Sequence, residues 1–278
     1  MLGLVYLLAL GATWAGSDGT ITVAGLSVFA WCALLAFSLQ WLAFIPAYLK
    51  QTEVYYDLTG SLTFISTVML ALLLSQNLDS RSILLASCII LWAARLGSFL
   101  FRRIRQDGAD SRFERIKPDP RRFFLTWSLQ GLWVVLTAGC AWAAMTSERS
   151  VALSLIELLG FALWLAGWLL EVVADRQKRF FRTTYGSEGF INSGVWRFCR
   201  HPNYLGEIIL WFGIALIALP ALQGWQHVSL ISPLFVAVLL TRVSGIPLLE
   251  RKADRKWGGQ ADYEAYKRST PTLIPRWP

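Results

Sequence analysis

Seven stretches of the chain, residues 25–49, 58–77, 82–102, 122–146, 151–174, 204–224 and 228–249, are nearly unbroken in apolar side chains. Each comes close to the roughly 20 residues that an α-helix needs to cross the hydrocarbon core of a bilayer. A composition of 55% hydrophobic and 16% charged residues, with 14 tryptophans and a mean hydropathy of +0.47, describes neither a soluble domain nor a disordered one. The expected fold is an all-α integral membrane protein, a seven-transmembrane-helix bundle forming one domain over residues 1–278. A shorter apolar run at 2–15 adds a short N-terminal helix, weakly spanning or interfacial, within a weak segment 1–24. It lacks the positive n-region and the clear cleavage site of a signal peptide.

Charge orients the runs. Of the 26 Lys and Arg, 8 fall in 102–122, 6 in 176–200 and 7 in 251–276, all on one side if the runs alternate. The opposite connections, 78–81, 147–150 and 225–227, hold only Arg81 and Arg149. Because Lys and Arg accumulate in short cytoplasmic loops, the basic face and the C-terminal segment 250–278 are expected in the cytoplasm. In a prokaryote that makes a multi-pass inner-membrane protein. Most of this charge serves topology and attraction to anionic membrane lipid. Arg95 and Arg242 differ, because they lie inside apolar runs, where a cation must snorkel or find a partner.

Several chemistries are excluded. Cys32, Cys88, Cys140 and Cys199 lack metal-ligand spacing, and His201 and His227 are the only histidines, so no metal site is expected. Neither G-x-G-x-x-G nor a P-loop is present. No nucleic acid or obligate protein partner is implied.

Three polar groups remain beside the apolar runs, where a bilayer makes them costly and a site makes them useful. In "YLKQTEVYYDLTGSLTF", Glu53, Tyr56, Asp57 and Gly60 share one helical face, although Asp57 with Thr59 also reads as a helix start. In "EVVADRQKRFFR", Glu171, Asp175, Arg179 and Arg182 form one stripe, suited to ribose hydroxyls and phosphates or to modest intrahelical pairing. The third group is "GVWRFCRHPNYLGEIILW", preceded by a glycine-rich loop with Asn192. Pro202 fits a first helical turn, Arg197, Arg200 and His201 add positive or donor groups for an anion, and Asn203, Tyr204 and Glu207 continue inward. Trp196 in this stretch, and Arg242 and Glu250 near the end of the last run, complete the candidate cofactor ligands.

"RHPNYLGEIILWFGIAL", the preceding "D-x-x-x-R-F-F-R", "YYDLTGSLTF" and "ERKADRKWGGQADYEAYKRSTPTLIP" resemble the membrane-bound steroid 5-alpha-reductase family, in particular its bacterial branch carrying the domain of unknown function 1295. The resemblance runs from about residue 50 onward. RHPNY alone is also similar to runs in sterol C14 and Δ7 reductases and in isoprenylcysteine and phospholipid methyltransferases. The resemblance implies NADPH held in the cytoplasmic half and a lipid-like steroid or enone arriving from the bilayer. It places the family's asparagine and glutamate on Asn203 and Glu207, its helix aspartate on Asp175, and its arginines on Arg179, Arg182 and Arg95. Where animal members have an asparagine this chain has Glu171. Asp57, or alternatively Glu53, takes the place of the catalytic carboxylate. Trp92 stands at the catalytic tyrosine position, with Tyr56 as a substitute.

The implied activity is NADPH-dependent reduction of the C4=C5 double bond of a 3-oxo-Δ4-steroid or similar lipid enone, with the carbonyl polarised by a carboxylic acid. The alternatives are an S-adenosylmethionine-dependent membrane methyltransferase and a sterol C14 or Δ7 reductase. The array Arg95, Arg179, Arg182, Arg197 and Arg200 favours a phosphate-rich dinucleotide over S-adenosylmethionine. A non-catalytic lipid transporter would tend to carry its ionisable groups at midplane instead.

Overall fold

The computed structural model describes residues 1–75, 79–110, 112–149, 151–186 and 188–275. Its elements are almost entirely helical: α1 (Leu2–Gly16), α2 (Val28–Leu49), α3 (Tyr56–Leu74), α4 (Ser80–Asp107), α5 (Pro120–Thr146), α6 (Leu155–Tyr185), α7 (Pro202–Ala218), α8 (Ser232–Val238), α9 (Ile246–Trp257) and α10 (Ala261–Ser269). A two-residue hairpin, β1 (Thr22–Val23) with β2 (Leu26–Ser27), turns through Ala24 and Gly25, both at positive φ.

Among the described residues, seven helical segments are long and apolar enough to cross a membrane, one for each expected run. The α1 helix, at 15 residues, is shorter than a span requires. Local chemistry sets several starts. Ser27 accepts from the Ala30 amide (3.1 Å), Asp79 from Ser82 (2.7 Å) and Asp119 from Arg121 (2.9 Å), with Pro120 at the first position of α5. The last span is not one regular helix. Gly224–Ile231 is 3-10 helical, α8 follows, and a π-helical turn at Leu239–Val243 precedes α9.

The chain divides into two compact units, residues 1–158 with 214–232, and residues 159–213 with 233–278. In the first unit α3 and α5 run parallel in constant register. The Tyr56 hydroxyl donates to the Thr126 carbonyl (3.0 Å) and Ser75 Oγ to the Met145 carbonyl (2.9 Å), each pair 70 residues apart. The α2 helix joins through Gln40 Nε2, which donates to Thr63 Oγ1 at 2.8 Å. Away from the basic loops, buried Arg81 meets buried Glu157 at 2.5 Å, and the Ser154 hydroxyl and amide both donate to the second carboxylate oxygen at 2.7 Å.

In the second unit α6 and α7 touch backbone to backbone. A Cβ on Gly206 would stand 2.5 Å from the Gly167 carbonyl and 2.8 Å from the Glu171 nitrogen, and a Cβ on Gly213 2.5 Å from the Gly160 carbonyl. Small residues at membrane helix contacts permit this approach. Only glycine fits at these two positions of α7.

Candidate active site

The first polar group lies at the start of α3. Glu53 does not extend the helical face expected of it, because the chain turns before the helix begins. Gln51 is left-handed (φ 49) and the Tyr56 amide donates to the Glu53 carbonyl (2.8 Å). The Glu53 carboxylate faces the segment between α4 and α5 at two points, pairing with Lys117 Nζ at 2.5 Å and accepting from the Asp110 amide at 2.8 Å. Burial pushes its carboxyl upward, but Lys117 and the Asp110 amide prevail and hold it below the ordinary carboxylate range. A group so engaged is an anionic anchor for the loop, the opposite of a protonated acid.

Asp57 is different. It sits in the first turn of α3 without capping it, since Tyr55 is the cap residue and makes no side-chain cap bond. The Asp57 carboxylate has the Arg103 guanidinium 3.8 Å away, too far for a hydrogen bond. Tyr56 donates its hydroxyl to Thr126 and packs its ring on Phe113 and Trp127 at 5.0 and 5.1 Å, so its phenol serves the α3–α5 contact. Trp92 is buried in α4, edge-on to Phe64 at 5.1 Å. Half-buried Arg95 is on the same helix. The partners of Glu53 carry no signal in the sequence, whereas Gln130, buried on α5, does carry one as a polar residue inside an apolar run.

The second and third groups meet inside the second unit. Glu171 and Asp175 are buried on α6, whereas Arg179 and Arg182, further along, are exposed. Gly206 rests on the backbone of Glu171, so α7 presents the turn holding Asn203, Tyr204 and Glu207 beside the α6 carboxylates. The loop before α7 folds back on α6. Trp196 Nε1 donates to the Ala174 carbonyl (3.1 Å), the Val195 amide donates to Gln177 Oε1 (2.9 Å), and Lys178 Nζ lies 4.8 Å above the Trp196 ring.

Arg200 and His201 depart from their expected role as anion ligands. All five guanidinium N–H donors of Arg200 are used. Nε and Nη2 donate to Glu250 at 3.2 and 2.9 Å, Nη1 to the Lys267 and Thr270 carbonyls at 2.8 and 3.0 Å, and Nη2 also to Thr272 Oγ1 at 2.9 Å. Glu250 also takes His201 Nε2 at 2.7 Å. Burial holds the His201 imidazole below its ordinary range; Glu250 opposes this, while Lys178 and Arg200 reinforce it. These three residues fasten the C-terminal segment to the start of α7, leaving exposed Arg179, Arg182 and Arg197 as candidate phosphate partners. Exposed Arg242 lies on the π-helical turn. An open groove of about 740 Å³ is lined by Phe190, Asn192, Arg197, Tyr266 and Thr270 among others, and the Tyr266 hydroxyl donates to the Trp196 carbonyl (2.7 Å) to brace its wall.

Long apolar helices with buried carboxylates and exposed guanidiniums at their ends define a multi-pass α-helical membrane protein with a polar site. Its family follows from the comparison of sequences. The family described as a protein of unknown function, DUF1295, matches residues 43–270, and the chain belongs to it. The chain is similar to 3-oxo-5-alpha-steroid 4-dehydrogenase 1 of Rattus norvegicus, 31% identical over 121 residues, covering 42% of this chain and 40% of the rat protein. The Mus musculus protein of the same name is 28% identical over 121 residues, or 42% and 41% of the two chains. An uncharacterized Schizosaccharomyces pombe protein is 24% identical over 184 residues, or 55% and 54%. The chain thus spans about half or less of the length of these relatives. No solved structure matches it.

Proposed function

We propose that the protein is an NADPH-dependent reductase of a bilayer-soluble enone, such as the C4=C5 bond of a 3-oxo-Δ4-steroid. The observation that carries this reading is the packing of Gly206 on Glu171, which gathers buried carboxylates and the Asn203–Glu207 turn beside exposed guanidiniums. That donor set suits a dinucleotide. Glu171 and Asp175 accept from ribose hydroxyls, Asn203 and Glu207 pair with a carboxamide, and Arg179, Arg182 and Arg197 meet phosphates. Similarity to steroid dehydrogenases supports the substrate class.

Bound NADPH supplies the hydride. The chain's own part is to hold the enone in a dry, apolar setting and to stabilise the charge that builds on its carbonyl oxygen. Asp57 is the candidate for that hydrogen bond, because Glu53 is committed to Lys117 and the Asp110 amide and Tyr56 to Thr126. Titration of detergent-extracted protein with NADPH, NADH and S-adenosylmethionine tests the reading. NADPH should bind about tenfold or more tighter than NADH, since a 2′-phosphate adds charge-assisted bonds. Equal affinity for the two nucleotides, or binding of S-adenosylmethionine alone, overturns it.

A further inference from the structure

The parallel register of α3 and α5 brings Gln130 against Gly60, one turn inward from Asp57. A Cβ at Gly60 would stand 2.6 Å from Gln130 Nε2 and 3.5 Å from the ring of Trp133. Gly60 is therefore the gap in α3 that the carboxamide fills. Gln130 is only 5% exposed, and its Oε1 is buried with no hydrogen-bond partner among the described residues. Ten residues into the span Pro120–Thr146, bulk water is not at hand to satisfy it. The surroundings are aromatic, with Trp133 and Trp92 lying 4.9 and 5.1 Å from Phe64, one turn further along α3.

A buried acceptor left without a donor at hydrocarbon depth is costly, and such groups mark function or an unseen partner. Asp57 and Gly60 lie three residues apart on one side of α3, a rise of about 4.5 Å. A lipid lying along that side with its carbonyl at Asp57 would pass Gln130 roughly one turn deeper. We infer that Gln130 is a specificity-determining residue that accepts a hydrogen bond from a hydroxyl on the substrate, so that the preferred ligand is a hydroxylated lipid enone. This rests on the reading of Asp57 as the carbonyl partner. Neither a phenol nor an acid is needed at Gln130, only an acceptor held in place by its packing on Gly60.

The test has one arm without ligand and one with it. Gln130→Leu and Gln130→Met remove the orphaned oxygen while keeping bulk, so in the ligand-free protein both should leave Tm unchanged or raise it. A fall of several degrees in both means that a bound water already satisfies the amide, and overturns the inference whatever the enzyme reduces. In the second arm, binding of Δ4-3-oxosteroids differing by a single ring hydroxyl is measured by thermal shift in wild type and variants. The variants should lose about tenfold or more in affinity for one hydroxylated member (roughly the cost of burying its hydroxyl donor without an acceptor) and change little for the unsubstituted parent. Equal losses for all members, or none, overturn the inference. Wild type that binds the parent but does not reduce it with NADPH fails the reductase reading alone.

Discussion

At the scale of single residues, two carboxylates four positions apart have opposite surroundings. Glu53 is buried and paired with Lys117, while Asp57 keeps its oxygens clear of any short contact with Arg103. If the protein is the reductase we propose, Asp57→Asn should cut enone turnover about a hundredfold, the usual loss of an oxyanion partner, with NADPH affinity unchanged. Glu53→Gln should instead destabilise by about 1–3 kcal/mol, the cost of breaking a charged hydrogen bond, with kcat per folded molecule retained. Its pH dependence has a definite sign. A carboxyl whose folded pKa lies below its unfolded value stabilises fully above about 4.3 and loses that contribution as pH falls through the folded pKa. Thermal denaturation of wild type should accordingly show an acid limb below about pH 4 that is diminished in Glu53→Gln. Sequence spacing put Glu53 and Asp57 on one helical face because it assumed the helix had already begun. The left-handed Gln51 and the loop partners Asp110 and Lys117, more than fifty residues away, carry no local signal.

At the scale of elements, hydropathy located every spanning helix but truncated those with polar extensions. The apolar run ends near 174, whereas α6 continues to Tyr185, because Arg, Gln and Lys favour helix and only lower hydropathy. The α10 helix and the π-helical turn before α9 were hidden for related reasons, one polar and one a local distortion within an apolar run. Likewise hidden was the partner of each glycine on α7. Gly206 and Gly213 lie seven residues apart and meet Gly167 and Gly160 of α6, so the close contact repeats after two turns. Gly206→Val puts a side chain into backbone atoms that cannot yield, a cost of about 1–3 kcal/mol or more. It should lower Tm and, on the proposed function, weaken nucleotide binding with it, because the same contact seats Glu171 beside the Asn203–Glu207 turn. Gly3→Val, where no atom lies within 4 Å of the added Cβ, is the matched control and should change neither.

At the scale of the molecule, the governing feature is the asymmetry of charge. Arg and Lys cluster at 102–122, 176–200 and 251–276, and each of these segments supplies the cation of one ion pair, Lys117 to Glu53, Arg200 to Glu250 and Lys267 to Asp254. If these basic segments are cytoplasmic, as the positive-inside tendency leads us to expect, a water-soluble nucleotide reaches Arg179, Arg182 and Arg197 directly. Reversed insertion would separate them from the cytoplasmic pool altogether. The molecule is suited to the measurement, because all four cysteines are buried and should react slowly with a thiol reagent. Glu114, Glu148 and Asp262 are exposed, and if the apolar runs alternate, Glu148 falls on the side away from the basic segments. In spheroplasts of a bacterial expression host, a membrane-impermeant maleimide should label Glu148→Cys at once, and Glu114→Cys and Asp262→Cys only after permeabilisation. The reverse pattern would put the candidate phosphate-binding arginines outside the cytoplasm, where NADPH is not supplied, and the reductase reading would fall with the topology.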